Sequence, residues 1–244
     1  MDRLLEATAR AERDHFWFRG FRRFVSPLLE RAAGNRRDLR ALDCGCGTGH
    51  NLQLLRRHGT AVGIDLTAAG LRHAVSRGER QVAQASAARL PFGDEAFDLV
   101  ASFDVIYSLP DDIERAAVAE MHRVLRPGGH LVLNVAAMEM LRGDHSILSG
   151  EVRRYSKATL RRVLEHAGFR IERMTYTNAT LLPLVAGVRL AQRISGHQES
   201  ASEISVPPAP INALLSGVLA AESVALRFVD MPAGSSLLCV AVKP

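Results

Sequence analysis

The segment from Ala41 to Gly49 constrains the fold more than any other part of the chain. An apolar stretch ends at an acidic residue, Asp43, and glycines follow at positions 45, 47 and 49. Because glycine has no Cβ, glycines at alternate positions permit a sharp backbone turn and the close approach of a ligand to the main chain. A helix-compatible run follows over residues 51–58. The pattern predicts a strand, a tight turn and a helix of a βαβ unit, with a nucleotide-type cofactor at the turn.

The spacing of these glycines distinguishes between two kinds of cofactor. A dinucleotide fingerprint, Gly-x-Gly-x-x-Gly, would need its third glycine at position 50 or 52, where the chain has His50 and Leu52. The Asp-x-Gly-x-Gly-x-Gly pattern instead resembles the first motif of class I S-adenosylmethionine (AdoMet) methyltransferases. In that family the loop lies against the methionine and ribose parts of the cofactor. A glycine-rich turn without a ligand is the alternative.

Three further segments resemble later motifs of the same family, in the family's order and spacing. Residues 60–65 form a short apolar stretch that ends in an aspartate. Residues 84–104 contain Leu-Pro-Phe and then Phe-Asp-Leu-Val, and residues 120–133 contain a helix-compatible run, a Pro-Gly-Gly turn and an apolar stretch. Together with the glycine loop, these motifs cover residues 41–135. The resemblance implies that AdoMet is the cofactor.

The same resemblance implies an α/β fold: a Rossmann-like, seven-stranded methyltransferase sheet with helices on both faces and an antiparallel last strand. Strand-like and helix-like segments alternate from residue 39 to 135, which favours a parallel sheet with helices on both faces. We expect one methyltransferase domain over residues 1–244. Its parts are an N-terminal helical lid (1–34), an AdoMet-binding core (35–177), a helical insertion (178–236) and the last strand (237–244).

The resemblance also implies cofactor contacts. An acid at the end of the second strand can accept both ribose hydroxyls, a role that falls to Asp65; capping of the next helix is compatible with it. Relatives usually bind the adenine side with an aspartate, whereas this chain has Ser86, and a neutral acceptor is weaker than a charged one. The expected cofactor-binding residues are Asp43, Gly45, Cys46, Gly47, Gly49, Asp65, Leu66, Ser86, Ala87 and Phe103.

Residues that act on the methyl acceptor are expected mainly after the fifth strand. His145 has a pKa suited to proton abstraction at neutral pH; a solvent-exposed loop histidine is the alternative. Arg153 and Arg154 are predicted to bind an anionic group of the acceptor, or else only to decorate the start of the next helix. Tyr155 is predicted to orient the acceptor. The predicted catalytic residues are His145 and Tyr155, and the predicted acceptor-binding residues are Trp17, Tyr107, Arg153 and Arg154.

Two apolar segments outside the motifs bear on the acceptor. The aromatic-rich run over residues 15–23 either covers the cofactor as a lid or packs Trp17 on the core. In the insertion, residues 211–219 carry an apolar stripe, and Glu222 falls on the same line of the helix. This carboxylate is interpreted either as solvated or as lining a substrate cavity. The hydrophobicity of the insertion favours an apolar or lipid-like acceptor and leaves open a peripheral membrane contact and a homodimer.

Composition limits the remaining classes of function. A chain of 244 residues with 47% apolar content can build one sizeable core. The net charge of +5 is spread over arginines interleaved with acids, without a block of five like charges, so we expect no nucleic-acid partner. Three cysteines and a charged N-terminal segment predict a reduced, cytoplasmic protein without a secretory signal. No metal site is expected, because Cys44 and Cys46 lack partners at ligand spacing.

The function expected from the sequence is methyl transfer from AdoMet, by in-line displacement, to a small or medium-sized acceptor that is apolar or lipid-like. A non-catalytic AdoMet-binding regulatory or partner subunit is one alternative, which Ser86 and Ser108 keep open. An RNA or protein methyltransferase is the other. Against it, the segment after the fourth strand reads Ser-Phe-Asp-Val rather than the Asn/Asp-Pro-Pro-Tyr tetrapeptide typical of planar-amine methylation.

Overall fold

The computed structural model describes residues 2–142, 150–195 and 205–244, with side chains described outside 2–4 and 189–195. The strands are β1 (Leu39–Cys44), β2 (Gly59–Asp65), β3 (Val82–Gln84), β4 (Phe97–Phe103), β5 (Leu125–Ala136), β6 (Arg170–Thr177) and β7 (Ser236–Val242). They form one sheet in the order β3-β2-β1-β4-β5-β7-β6. The strand β7 runs antiparallel to β5 and β6, and the other pairs are parallel. The predicted seven-stranded sheet with an antiparallel last strand is therefore confirmed.

Helices cover both faces of this sheet. They are α1 (Asp2–Ala11), α2 (Phe16–Ala33), α3 (Leu52–Leu55), α4 (Ala68–Ser76), α5 (Asp111–Val124), α6 (Lys157–His166), α7 (Leu182–Ser195) and α8 (Ala209–Ala225). On one face, Leu42 and Val100 pack with residues of α5 and α6. On the other, Ala41 and Leu99 pack with residues of α2, α3 and α8. Neighbouring residues of one strand thus enter opposite cores, which explains why central strands covered on both faces are apolar almost throughout.

The N-terminal helix α2 and the insertion helix α8 pack as a pair. Gly20 allows their close approach, because a Cβ at this position would lie 2.4 Å from Leu219 Cδ1. At the start of α2, Phe16 N–H donates to Asn212 Oδ1 at 2.8 Å, and Asn212 Nδ2 donates to Asp14 O at 2.9 Å. The N-terminal segment and the insertion therefore stabilise each other over the same face of the sheet.

Glu222 has a role that neither interpretation from the sequence anticipated. Its side chain is buried, and its carboxylate accepts from Ala179 N–H and Thr180 N–H at 2.9 Å each and from the Thr180 hydroxyl at 2.5 Å. These donors lie where the chain leaves β6 towards α7. Glu222 is thus neither solvated nor part of a cavity wall: it fastens the first connection of the insertion to α8.

Within residues 2–142, 150–195 and 205–244, none of the helices combines the length and the apolarity that crossing a membrane requires.

Candidate functional site

The glycine loop turns the chain at the carboxyl end of β1, beside the point where the strand order reverses between β1 and β4. Such a switch point is where open α/β sheets bind ligands. Gly45 and Gly47 have φ angles of +89° and +50°, a region that disfavours residues with a Cβ. A Cβ at Gly45 would lie 2.2 Å from Val105 Cγ2, whereas the nearest atom to a Cβ at Gly47 would be Leu5 Cδ2 at 3.9 Å. Gly45 is therefore required by packing, and Gly47 leaves open space above the main chain.

Asp65, at the end of β2, ties this loop to the start of α4. Its Oδ2 accepts from Gly47 N–H at 2.8 Å, and its Oδ1 accepts from Thr67 N–H at 2.8 Å and from the Thr67 hydroxyl at 2.5 Å. A carboxylate has about four acceptor positions, so this arrangement leaves one, on Oδ2. Asp65 can accept one further ligand hydroxyl rather than the two expected from the sequence, unless a bond to Thr67 is given up.

Asp43 has a buried carboxyl with unused hydrogen-bonding capacity. It is 1% exposed, and its Oδ2 has no hydrogen-bond partner among the described residues. Burial, and to a lesser extent the nearby Asp65 charge, raise the pKa of Asp43 to about 7. An unpaired buried carboxyl is costly, so a ligand that brings a donor or a positive charge to this end of β1 would be stabilised there.

On the predicted adenine side, the three residues differ in what they leave available. Leu66 is 67% exposed, so its side chain can cover a planar ring. Ser86 Oγ accepts from Ala88 N–H at 3.2 Å, a local bond that uses one of the two acceptor positions of the oxygen expected to face the cofactor. The Ala87 N–H donates to no acceptor within the described part of the chain. The main chain, more than the Ser86 side chain, is therefore available to a ligand at this position.

Phe103 and Cys46 are buried behind the loop rather than open at its surface. Phe103, at the end of β4, is 6% exposed and packs edge to face on Phe21 of α2, with ring centroids 5.2 Å apart. Cys46 is also 6% exposed, and burial raises the pKa of its thiol well above the usual range. Their side chains shape the floor of the site, and only the Cys46 backbone belongs to the loop surface.

The first helix lies over the glycine loop. The Thr48 hydroxyl donates to Glu12 Oε2 at 2.7 Å, and the other Glu12 oxygen pairs with Arg77 of the α4 C-terminus. Arg77 Nη2 also donates to Ala9 O at 2.8 Å. The buried Glu12 thus holds the end of α1 against both the loop and α4.

A residue that sequence reasoning missed, Asp104, stands at the carboxyl end of β4. Its φ of +61° is unusual for a residue other than glycine, and its Oδ1 accepts from Asn134 Nδ2 at 2.8 Å. The residue as a whole is exposed. Crowding by protein atoms raises the pKa of Asp104 to about 7; the Asn134 hydrogen bond opposes this effect and the Glu151 charge adds to it. The signal available in the sequence was an aspartate directly after a buried strand, as at Asp65.

The structure places the predicted acceptor residues in different surroundings. Tyr107 is half-buried, and its carbonyl accepts from Val152 N–H at 2.9 Å and Arg153 N–H at 3.2 Å. Trp17 is half-buried beside Phe16, with ring centroids 6.4 Å apart. His145 lies outside the described residues.

Tyr155 is part of the core, and this position argues against the predicted contact with an acceptor. It is 2% exposed, its hydroxyl donates to the buried Glu114, and its backbone joins the end of β5 through Tyr155 N–H to Ala136 O at 2.9 Å. Burial, the Glu114 hydrogen bond and the Glu114 charge raise the pKa of Tyr155 above its usual range, although Arg153 opposes this effect. The Arg-Arg-Tyr segment therefore anchors β5 to α5.

Both predicted acceptor arginines are already paired with carboxylates. Arg153 contacts Asp111 at 2.6 Å and Glu114 at 3.2 Å. Arg154 binds Glu151 in a bidentate manner, at 2.9 and 3.1 Å, and its side chain is only 10% exposed. These geometries favour the structural alternative, because neither guanidinium is left open for an anionic ligand.

Comparison with known sequences places the motifs in a family. Residues 42–133 match the family model described as a methyltransferase domain. An uncharacterized protein of Mycobacterium tuberculosis is 35% identical over 111 residues, which cover 43% of this chain and 40% of that protein. The protein named probable tRNA methyltransferase 9B of Homo sapiens is 41% identical over 99 residues, which cover 40% of this chain and 21% of that protein. The chain thus spans less than half the length of these relatives.

Solved structures share the fold over nearly the whole chain. The [4+2]-cyclase SpnF has a TM-score of 0.58 at 23% identity, covering 90% of this chain and 80% of its own. A Haemonchus contortus phosphoethanolamine N-methyltransferase 2, in complex with phosphomonomethylethanolamine and S-adenosylhomocysteine, has a TM-score of 0.60 at 18% identity, covering 89% and 52%. At such identities the likeness is one of fold. The seven-stranded fold and the order of the motifs agree with the methyltransferase domain that residues 42–133 match.

Proposed function

We propose that this protein transfers a methyl group from AdoMet to a small or medium-sized acceptor with a substantial apolar part. The observation that carries the cofactor assignment is the unpaired Asp43 oxygen, buried beside a glycine loop that leaves open space at Gly47. A buried acceptor without a donor favours a ligand that supplies one. When bound, AdoMet brings donor and cationic groups together with an electrophilic methyl group on a sulfonium.

The residues around the loop fit the polar parts of such a cofactor. Asp65 would accept a ribose hydroxyl at its remaining Oδ2 position, and Asp43 would face the positively charged end. Leu66 would cover the adenine ring, and Ala87 N–H would donate to a ring nitrogen. Because Ser86 offers a neutral hydroxyl that already accepts from Ala88 N–H, we expect cofactor affinity to depend mainly on the two aspartates.

We propose Asp104 as the group that removes the acceptor's proton. Its Oδ1 is held by Asn134, which leaves Oδ2 for the proton. A base works best when its pKa lies near the operating pH, and the pKa of Asp104 is raised to about 7. Positioning contributes the rest of the rate acceleration: alignment of the acceptor with the methyl group can account for roughly 7–11 kcal/mol of the barrier in favourable cases.

The apolar character of the acceptor is inferred from the surface beside Tyr107. Val152, whose N–H donates to the Tyr107 carbonyl, is 43% exposed, and Met140 is 65% exposed. The insertion adds Leu184 and Val188 of α7, 55% and 45% exposed. The arginines nearby are paired with carboxylates, so this side of the cleft offers apolar contact rather than free charge.

A second candidate function is AdoMet binding without methyl transfer. The likeness to a protein titled a [4+2]-cyclase shows that this fold occurs in a protein named for another reaction, so the fold alone does not establish methyl transfer.

An RNA acceptor is suggested by a relative named as a tRNA methyltransferase. Incubation with radiolabelled AdoMet and, separately, an organic-solvent extract of cells or total tRNA separates these cases. Label in small molecules supports our proposal, label in tRNA replaces it, and label in neither favours the binding module.

Calorimetric titration with AdoMet and S-adenosylhomocysteine tests the cofactor assignment. We expect micromolar binding of both, and a loss of about 1.5–3 kcal/mol in Asp65→Ala, the range for a hydrogen bond to a charged group. Asp112→Ala, which removes an exposed carboxylate from α5, is the matched control and should bind like the wild type. Equal affinity in folded Asp65→Ala and wild-type protein would remove the ribose assignment.

A further inference from the structure

An arginine-lined groove lies between α2, α3 and the C-terminal half of α8. It has a volume of about 630 Å³, and six of its thirteen lining residues are arginine, against one acid, Glu30. The arginines are Arg13, Arg19, Arg22, Arg23, Arg57 and Arg227. They come from separate stretches of the chain, so the sequence shows scattered charges where the fold produces a concentrated positive surface. Arginine is the side chain best suited to phosphate, which it can bind through two parallel N–H donors.

Within the described part of the chain, none of these arginines forms an ion pair with a carboxylate. Arg22 donates to Glu12 O at 2.9 Å and Arg23 to Ser216 O at 3.0 Å, so both guanidinium groups are held by neutral carbonyls. Arg19 and Arg227 are exposed. Burial and the neighbouring Arg19 charge lower the pKa of Arg22, against the opposing charge of Glu12. Burial is the main cause of this lowering and the charge of Asp14 also opposes it, so an anion entering the groove would stabilise the partly buried charge of Arg22.

An apolar tip stands at one end of the groove. Val224 lines the groove and is 55% exposed, and the turn that ends α8 presents Phe228 and Val229, 83% and 60% exposed. Arg227, between them in sequence, belongs to the groove itself. A basic surface bordered by protruding aromatic and aliphatic side chains is typical of proteins that lie in the membrane interface.

The lining itself argues against nucleic acid as the occupant. Single-stranded nucleic acids are bound largely by stacking of their bases on aromatic residues that line the groove. The described residues that line the groove include no aromatic residue, asparagine or glutamine. The exposed Val224 and Val229 would gain nothing from a phosphate backbone, whereas a bilayer would bury them.

We propose that this groove and tip dock the protein on an anionic phospholipid membrane. The arginines contact headgroup phosphates, and Phe228 and Val229 enter the interfacial layer. The proposal goes beyond the methyl-transfer function and does not depend on it, because docking requires neither AdoMet nor an acceptor.

Sedimentation of the full-length protein with lipid vesicles tests the proposal. We expect binding to mixed phosphatidylcholine–phosphatidylglycerol vesicles, weak binding to phosphatidylcholine alone, and weakening by added salt. Each basic residue near such a surface contributes about fivefold in partitioning, equivalent to about 1 kcal/mol, so Arg19→Gln with Arg227→Gln should lower it about 25-fold. Phe228→Ser with Val229→Ser should also weaken binding at high salt, where the apolar contribution remains.

The matched control is Arg72→Gln with Arg162→Gln, which removes the same charge from exposed arginines outside the groove. We expect a small effect from this pair. Equal losses in both double variants would mean that net charge alone drives binding. A second outcome is that the wild type does not bind vesicles but binds a short RNA or pyrophosphate, and that Arg19→Gln with Arg227→Gln loses this binding. The groove would then belong to another phosphate ligand. Either result overturns the proposal.

Discussion

The two halves of the sheet's carboxyl edge differ in how their polar groups are engaged. On the β1–β2 side, Asp43 has an unpaired oxygen and Asp65 retains one acceptor position. On the β4–β5 side, Arg153 and Arg154 are paired with Glu114 and Glu151. The first half is therefore ready for a polar ligand, whereas the second has largely satisfied its own charges.

If the proposed function is correct, this difference separates the recognition of the cofactor from that of the acceptor. A cofactor that is the same in every turnover can be held by fixed backbone groups and carboxylates. The proposed acceptor side has exposed apolar side chains such as Met140 and Leu184, so we expect its selectivity to come from shape and burial. Asp104 is the exception on that side, because it has a free carboxyl oxygen and no ion pair among the described residues.

The largest effect is expected from Asp104→Asn, which tests that exception. If Asp104 takes the acceptor's proton, label transfer from AdoMet into an organic-solvent extract should fall about 10²- to 10⁴-fold, the usual contribution of a positioned base. Calorimetric AdoMet affinity should stay within about threefold. The wild-type rate should rise as pH increases through about 7, because the carboxyl must lose its proton to act, and the variant should lack this rise.

Asp112→Asn serves as the control for this experiment, since it changes an exposed carboxyl on α5. A flat pH–rate profile in the wild type, or full activity in Asp104→Asn, would show that Asp104 does not remove the acceptor's proton. The contrast between the two halves would then be complete.

A smaller effect is expected from Asp43→Asn, which tests the cofactor side. In the folded protein the pKa of Asp43 is raised to about 7 from its ordinary value of 3.8, so the folded protein holds a proton that the unfolded chain releases between these pH values. The contribution of Asp43 to the free energy of unfolding therefore falls as pH rises from about 4 to about 7. At about 1.4 kcal/mol per pKa unit, the full effect is about 4 kcal/mol.

Asp43→Asn should abolish this contribution. Relative to the wild type, the variant should gain stability between pH 5 and pH 8 in denaturant titrations without AdoMet. Asp104→Asn, measured in parallel, gives the separate contribution of Asp104, the other carboxyl whose pKa is raised to about 7. A pH-independent difference between Asp43→Asn and the wild type would mean that Asp43 is already paired, and the main support for a ligand at this end of β1 would be lost.

The same contrast explains which features the sequence could predict. On the β1–β2 side, the site depends on main-chain geometry at Gly45 and Gly47 and on the carboxylate of Asp65. The spacing of these residues along the chain is therefore enough to predict the glycine loop and its acid. The seven-stranded sheet with an antiparallel last strand followed from the family resemblance that these motifs carry. On the β4–β5 side, the structure depends on pairs such as Tyr155 with Glu114, separated by 41 positions, which no local pattern reveals. The arginine groove was missed for the same reason, because its members meet only after folding.

The smallest effect is expected from Tyr155→Phe, which tests whether the Arg-Arg-Tyr segment is structural. Loss of the hydroxyl removes its hydrogen bond to the buried Glu114, and we expect a loss of about 1–2 kcal/mol in the free energy of unfolding. Label transfer should not change, because the ring has no exposed face to offer an acceptor. Tyr176→Phe, whose hydroxyl accepts only a 3.4 Å bond from Lys157 N–H, is the matched control and should lose less. Reduced transfer at unchanged stability in Tyr155→Phe would restore Tyr155 to the acceptor site and weaken the view that this half of the edge satisfies its own polar groups.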